Sequence, residues 1–361
     1  MTDRSPTRES NREVNNVIKV GIVGYGFAGR GFHAYLINRV PDLKLVAVAS
    51  RSPERRALAE RGYGVATFET LDQLLESGGA DLVVIATPHA THAPLAIQAM
   101  AAGKHVVVDK VMCLNGAEAD RMIDASRRHR VVMSVFHNRR WDWDFLTVKK
   151  VLDEGLLGTP YLFETTILRN RGPRGWRGEA DASGGILYDW GAHLIDHALQ
   201  LVPASVRSVT CDLQYRGWGA EIGSYARLLL RFSNDVLYSI EIGNLSRQDK
   251  PRWLILGERG TFVKTGLDPQ EPAMLAGNIE AASEDPTNRA RIRTEFSGLP
   301  AELVVETVRS DWTGYYQNVA DALNGRAELT VKPEQVRRAI AVFDAAMRSA
   351  QTGETVPIEE R

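Results

Sequence analysis

"VIKVGIVGYGFAG", residues 17–29, is a short apolar run that ends in glycines spaced G-x-G-x-x-G. The run reads as a buried strand entering a turn. The residues that follow, "RGFHAYLINRV", read as a helix. A strand, this glycine spacing and a helix together form a dinucleotide-binding fingerprint. The backbone of Gly24, Tyr25, Gly26, Phe27, Ala28 and Gly29 is expected to approach a pyrophosphate. The first glycine permits the tight turn, and the second lets the main chain come close. The pyrophosphate would sit on the helix N-terminus.

Working outward, apolar runs at 43–50, 81–88, 105–110 and 131–136 alternate with helical stretches at 53–61, 92–103 and 117–130. Strands alternating with helices imply parallel pairing, so residues 17–136 are expected to form an α/β domain, a doubly wound Rossmann sheet. The pattern changes after residue 136. A helix is expected at 141–154, a strand at 161–168 and a helix in the apolar stretch after Gly184. Strand-like runs follow at 206–215, 224–232 and 236–245. Closely spaced runs of this kind predict a mostly antiparallel open sheet, placing residues 137–361 in a second, α+β domain. Residues 266–300 are polar and broken by Pro and Gly, and read as a long excursion or lid. Residues 333–350 read as a helix, and residues 1–16 as a flexible tail.

The 361 residues carry a net charge of −1, so nothing calls for nucleic acid or an anionic membrane surface as partner. No run has the length of a membrane span. The two cysteines, Cys113 and Cys211, lie far apart and in no metal-type spacing, which fits a reducing, cytoplasmic setting.

Four places carry candidate chemistry. The second strand ends at Ser50-Arg51-Ser52, where an NAD site usually has an acid for the ribose 2′-hydroxyl. A guanidinium there suits a 2′-phosphate, so NADP(H) is the expected cofactor, with NAD(H) as the alternative. Thr87, Pro88 and His92 flank the end of the third strand and are expected to line the nicotinamide ribose. Asp109-Lys110 ends the next strand, where ligands bind in open parallel sheets. There a lysine can stabilise a developing alkoxide. Finally, "GGILYDWGAHLIDH", residues 184–197, sets Asp189 four places before His193. On a helix these side chains lie one above the other. The pair is either a satisfied core histidine with its carboxylate or a catalytic constellation. Asp196 and His197 share the helix, but no clear third ligand completes a zinc site, and no metal is expected.

The glycine turn, "ATPHATHAPLAIQAMAAGKHVVVDK" and the GG…D-x-G-x-H-x-x-D helix together resemble the glucose–fructose oxidoreductase/inositol dehydrogenase/rhizopine catabolism (Gfo/Idh/MocA) oxidoreductases over nearly the whole chain. The family's strand-end motif Glu-Lys-Pro reads Asp109-Lys110-Val111 here. "GYGFAGRGFHAYLI", "VFHNRRWDWDF" and "RGTFVKTGLDPQE" are similar to the NADP-dependent scyllo-inositol dehydrogenase branch. The resemblance implies hydride transfer between a nicotinamide cofactor and a secondary hydroxyl of a cyclic polyol or sugar. It implies Lys110, Asp189 and His193 as the catalytic residues. His193 would be the general base, Lys110 would polarise the reacting oxygen, and Asp189 would orient the imidazole or bond a substrate hydroxyl.

His137, Asn138 and Arg139 follow a parallel strand and either contact substrate or nicotinamide or form a hydrogen-bonded domain junction. Trp176 and Arg177 lie in a basic loop before the catalytic helix; they either stack on a sugar ring or belong to a solvated loop. A homo-oligomer, dimer or tetramer, is expected from the second sheet. Two other functions compete: a redox-neutral sugar-processing enzyme that keeps its NAD(P), and a non-catalytic NADP-binding regulator.

Overall fold

The computed structural model describes residues 16–219 and 221–358; residues 1–15 of the expected tail lie outside them. Six parallel strands form the first sheet: β1 (Ile18–Val23), β2 (Leu43–Ala49), β3 (Ala66–Phe68), β4 (Leu82–Ile85), β5 (His105–Val108) and β6 (Met133–Val135). Their order is β3-β2-β1-β4-β5-β6. The strand order reverses beside β1, and such a reversal opens a crevice at the strands' carboxyl ends. The strands are mostly apolar because helices cover both faces; the exposed Lys19 and Lys44 lie near the N-terminal ends of β1 and β2.

The fingerprint glycines run into a π-helical segment, Gly29–Ala34, that continues as α1 (Tyr35–Ile37). Next come α2 (Pro53–Tyr63), α3 (Leu71–Glu76), α4 (His92–Ala101) and α5 (Gly116–His129). Ser52 caps α2 by accepting the Arg55 N–H, and Pro53 suits the first turn, where its missing N–H costs nothing.

α6 (Trp143–Asp153) leads to a second sheet with one parallel pair, β7 (Pro160–Leu168) with β10 (Leu237–Gly243). Short α7 (Ala180–Ser183) and long α8 (Ile186–Leu201) follow β7. The other strands pair antiparallel: β8 (Val206–Gln214), β9 (Tyr225–Phe232), β11 (Trp253–Gly257), β12 (Gly260–Lys264), β13 (Ala290–Phe296), β14 (Leu299–Val305) and β15 (Val356–Pro357). α8 lies on β9 and β10, and nearly all of its residues are buried.

The 266–300 excursion is more ordered than its composition suggests. It holds α9 (Gln270–Leu275) and β13, whose Ala290 and Ile292 are buried while Arg291 and Arg293 are exposed. α9 rests on the fingerprint helix, and the Tyr35 hydroxyl accepts the Ile279 N–H at 3.0 Å. Two last helices return to the first sheet: α10 (Thr313–Leu323) meets α1, and α11 (Pro333–Thr352) meets α5, α8 and β8.

Candidate active site

The fingerprint turn fits a dinucleotide. Gly24 has φ +94°, and a Cβ there would lie 2.4 Å from the Ala86 carbonyl oxygen; one on Gly29 would lie 2.0 Å from the Gly24 oxygen. Neither position tolerates a side chain. A Cβ on Gly26 would meet only Arg55 Nη1, at 3.7 Å, so the outer side of the turn is open to a bulky group. Tyr25 is buried, while Phe27 is 54 % exposed beside Phe32. Arg51 is exposed and Ser50 is buried. The Ser52 hydroxyl is not free for a phosphate as expected, because it caps α2 and donates to Glu54. Arg55 and Arg56, not singled out in the sequence, bring further guanidiniums to this end: Arg55 Nη1 faces Gly26, and Arg56 Nη1 donates to the Ser50 carbonyl at 2.6 Å.

Lys110 lies just beyond β5, and the side chain that meets it comes from α8. Its Nζ donates to the Asp189 carboxylate at 3.0 Å and to the Asp189 carbonyl at 2.5 Å. Arg177 Nε approaches the same carboxylate at 3.5 Å. Burial alone would raise this carboxyl, but Lys110 and then Arg177 hold it well below the usual carboxylate range. The Lys110–Val111 peptide bond is cis. Asp109 accepts the Lys110 N–H at 2.8 Å, and His33 Nε2 lies 3.7 Å from it.

The expected Asp189–His193 pairing is not made. Asp189 is committed to Lys110 instead, and His193 Nδ1 is buried without a partner among the described residues. Burial, then Lys110 and Arg139, push the imidazole well below its usual 6.5, so it is neutral at neutral pH. Its ring lies 6.2 Å from that of His137, whose two nitrogens also lack hydrogen bonds among the described residues. Burial lowers His137 to about 4, against the pull of Asp196. Asn138 Nδ2 is a further buried, unpartnered donor. Unsatisfied buried polar groups cost stability, which makes these atoms candidates for contact with a bound ligand.

Other expected residues have different roles. Arg139 is not free for substrate: it pairs with Asp142 at 3.1 Å and Glu271 at 2.6 Å, and its guanidinium stacks on Trp190 and Trp312. Of the two readings of this segment, Arg139 takes the junction role. His92 is not free to contact the nicotinamide ribose through its nitrogens, because both face carbonyls, those of Val111 at 2.7 Å and Thr87 at 2.9 Å, and the neutral ring donates its one N–H to one of them. It ties the ends of β4 and β5 together beside Pro88 and Thr87. Trp176 packs edge-on against His89 at 4.7 Å, which joins the basic loop to the first sheet. Sequence reasoning missed the buried, forked Arg140–Asp196 pair, with Nε–Oδ2 at 2.8 Å and Nη2–Oδ1 at 2.7 Å.

The one group of potential metal ligands among the described residues is Asp142, Asp144 and Asp268, which does not include Asp189 or His193. These carboxylates accept from Trp312 Nε1, Trp253 Nε1 and Trp143 N. A separate cavity of about 870 Å³, bordered by Asp124, Arg338 and Ala341, contains none of the candidate catalytic residues.

Residues 18–137 match the oxidoreductase family with an NAD-binding Rossmann fold, and residues 145–263 match the GFO/IDH/MocA C-terminal domain. The chain belongs to the Gfo/Idh/MocA oxidoreductases. Within that family it is 36 % identical to the uncharacterised oxidoreductase YdgJ of Escherichia coli, covering 92 % of this chain and 96 % of YdgJ. It is 30 % identical to the scyllo-inositol 2-dehydrogenase (NADP⁺) IolW of Bacillus subtilis, covering 95 % and 97 %. A crystal structure of a Klebsiella pneumoniae protein superposes with a TM-score of 0.85 at 35 % identity, over 96 % of both chains. The Gfo/Idh/MocA assignment makes this chain an NAD(P)-dependent dehydrogenase of CH–OH groups with an NAD-binding Rossmann domain.

Proposed function

We propose that the chain moves hydride between NADP(H) and a secondary hydroxyl of a cyclic polyol or sugar. The observation that carries this reading is the contact of Lys110 with Asp189, one turn along the helix from a neutral His193 whose Nδ1 has no partner among the described residues. In the oxidative direction His193 takes the hydroxyl proton. The Lys110 ammonium donates to the reacting oxygen and stabilises its growing negative charge. Asp189 holds that ammonium in place. A nicotinamide held by the fingerprint turn would supply the hydride acceptor, so that an alcohol giving its proton to His193 and its hydride to that acceptor becomes a ketone, with atoms and charge in balance. His137 and Asn138 offer free polar atoms to further hydroxyls, and Trp176 and Arg177 close the Asp189 side.

NADP(H) is favoured over NAD(H) because Arg51 follows β2 where an NAD site usually has an acid, with Arg55 on α2 facing the turn, while the nearby Glu54 carboxylate is taken by the Ser52 hydroxyl. The name of IolW, an NADP⁺ enzyme, agrees with it. A homo-oligomer through the outer face of the second sheet is part of the same reading, supported by Leu229, 40 % exposed on the face opposite buried Leu228 and Leu230. A cytoplasmic location is supported by two free, buried cysteines. The test is a cofactor-reduction screen of NADP⁺ and NAD⁺ against inositols and aldoses. Turnover with NADP⁺ and one polyol is expected. Binding of NADP(H) without any turnover would overturn the reading in favour of redox-neutral chemistry or a sensor.

A further inference from the structure

The basic loop of residues 169–177 contains Arg169, Arg171, Arg174 and Arg177, and the mechanism above employs only the last. Arg169 stands where β7 ends, and its backbone is fixed: its N–H donates to the Gly243 carbonyl at 2.8 Å and its carbonyl accepts from Ser246 at 2.9 Å. Its guanidinium lies over the Trp190 ring, 4.2 Å from the centroid. Trp190 follows Asp189 directly, and its ring is 5.8 Å from that of His193. Arg169 is therefore one aromatic ring away from the reacting groups.

The other cations around Asp189 and Trp190 are compensated, while Arg171 and Arg174 of the same loop are exposed to solvent. Lys110 and Arg177 share Asp189, and Arg139 has Asp142 and Glu271. Arg169 has no carboxylate within ion-pair distance and no side-chain hydrogen bond among the described residues. Burial and then the neighbouring Arg139 act against its charge, and Asp189 and Glu271 favour it only from beyond contact distance. A half-buried guanidinium stacked on an aromatic ring, without an anion in contact, is set up to receive one. Its planar fork matches a carboxylate or a phosphate with two parallel hydrogen bonds. A neutral polyol would leave that fork unmatched, and sites with unmatched polar groups discriminate strongly against such ligands.

We propose that the substrate is a cyclic polyol or sugar carrying an oxyanion, a carboxylate or a phosphate, and that Arg169 binds that group beside Trp190. The inference rests on the hydride-transfer reading for its reaction but not for its ligand. The test uses the full chain with NADP⁺ and matched substrates: glucose, glucuronate and glucose 6-phosphate, then myo-inositol and its monophosphate. A higher kcat/KM for an anionic member than for its neutral twin is expected, and the uronate and phosphate arms separate the two oxyanions. Arg169→Gln should lower kcat/KM for that substrate by about 10- to 100-fold, the range for losing a charged hydrogen bond, and erase the discrimination. Arg169→Lys should recover part of it, with NADPH affinity kept in both variants as the check on folding. Equal or better use of the neutral twin, or equal losses on both twins in Arg169→Gln, overturns the inference and leaves the function standing. Oxyanion sugars that bind the NADPH-loaded protein in an Arg169-dependent way without turnover support the inference and overturn the function. Failure of both binding and turnover overturns both.

Discussion

Replacing Arg140 by Met should destabilise the protein far more than removing the whole ion pair. Arg140 and Asp196 are 6 % and 3 % exposed and meet through two hydrogen bonds. At 2.7 Å and an effective dielectric of about 20, their gross attraction is roughly 6 kcal/mol. Removing both ions from water costs several kcal/mol each, so the intact pair is close to neutral for stability. The single Arg140→Met change would leave Asp196 buried, with His137 Nδ1 at 3.7 Å as its nearest ionisable neighbour, and would also free the Thr330 carbonyl. Breaking one side of a buried pair costs about 3–5 kcal/mol. The double variant Arg140→Met/Asp196→Leu should regain most of that loss. The assay is the urea unfolding midpoint of wild type, both single variants and the double. pH adds a signature. Burial opposes the charge on Asp196, but Arg140 and His137 pull its carboxyl down to about 2. A lowered carboxylate contributes stability above its unfolded value of 3.8 and loses it as pH falls through about 2. The gap between wild type and Arg140→Met should therefore narrow in acid. A single-variant loss under about 1 kcal/mol, or a double variant as weak as the single, would refute the reasoning.

Two further tests address the chemistry. His193→Ala should lower kcat by about 10²- to 10⁴-fold while NADPH affinity stays unchanged; near wild-type kcat would remove the residue from the mechanism. Because the neutral imidazole is the active form and its pKa lies well below 6.5, kcat/KM for oxidation should be level near neutrality, its acid limb falling below 6.5 and absent in the variant. Lys110→Met should cost about 10²- to 10³-fold in kcat. Combined with Asp189→Asn the losses should not multiply, since the two groups touch at 3.0 Å; strictly multiplicative losses would show that Asp189 acts independently of Lys110.

Much of the fold is legible because its signals are local. The G-x-G-x-x-G turn, the apolar strands and the alternating helices all lie within short windows. β3 and α3 escape notice because three and six residues are too few to show a period. The 266–300 segment reads as loop because α9 is six residues long, and only Ala290 and Ile292 of β13 are buried. The site is legible by residue type but not by partner. Lys110, Asp189 and His193 do converge, yet the i, i+4 spacing points Asp189 at His193 and its true partner is 79 positions away. The same limit hides Arg140–Asp196, 56 positions apart, and the second carboxylate of Arg139, 132 positions away on α9. Arg169 carries no sequence signal beyond a basic loop; only the stacking on Trp190 singles it out.

The contact between Lys110 and Asp189 joins a loop of the parallel sheet to a helix of the other sheet. Any swing of one lobe from the other would stretch this 3.0 Å contact, along with the Gly116–Asp344 hydrogen bond, and leave the ammonium free to turn toward water. On the proposed mechanism, the lysine that polarises the substrate is then also a latch. Opening the crevice would turn it out of aim, which would set cofactor exchange and proton chemistry in separate halves of the working cycle.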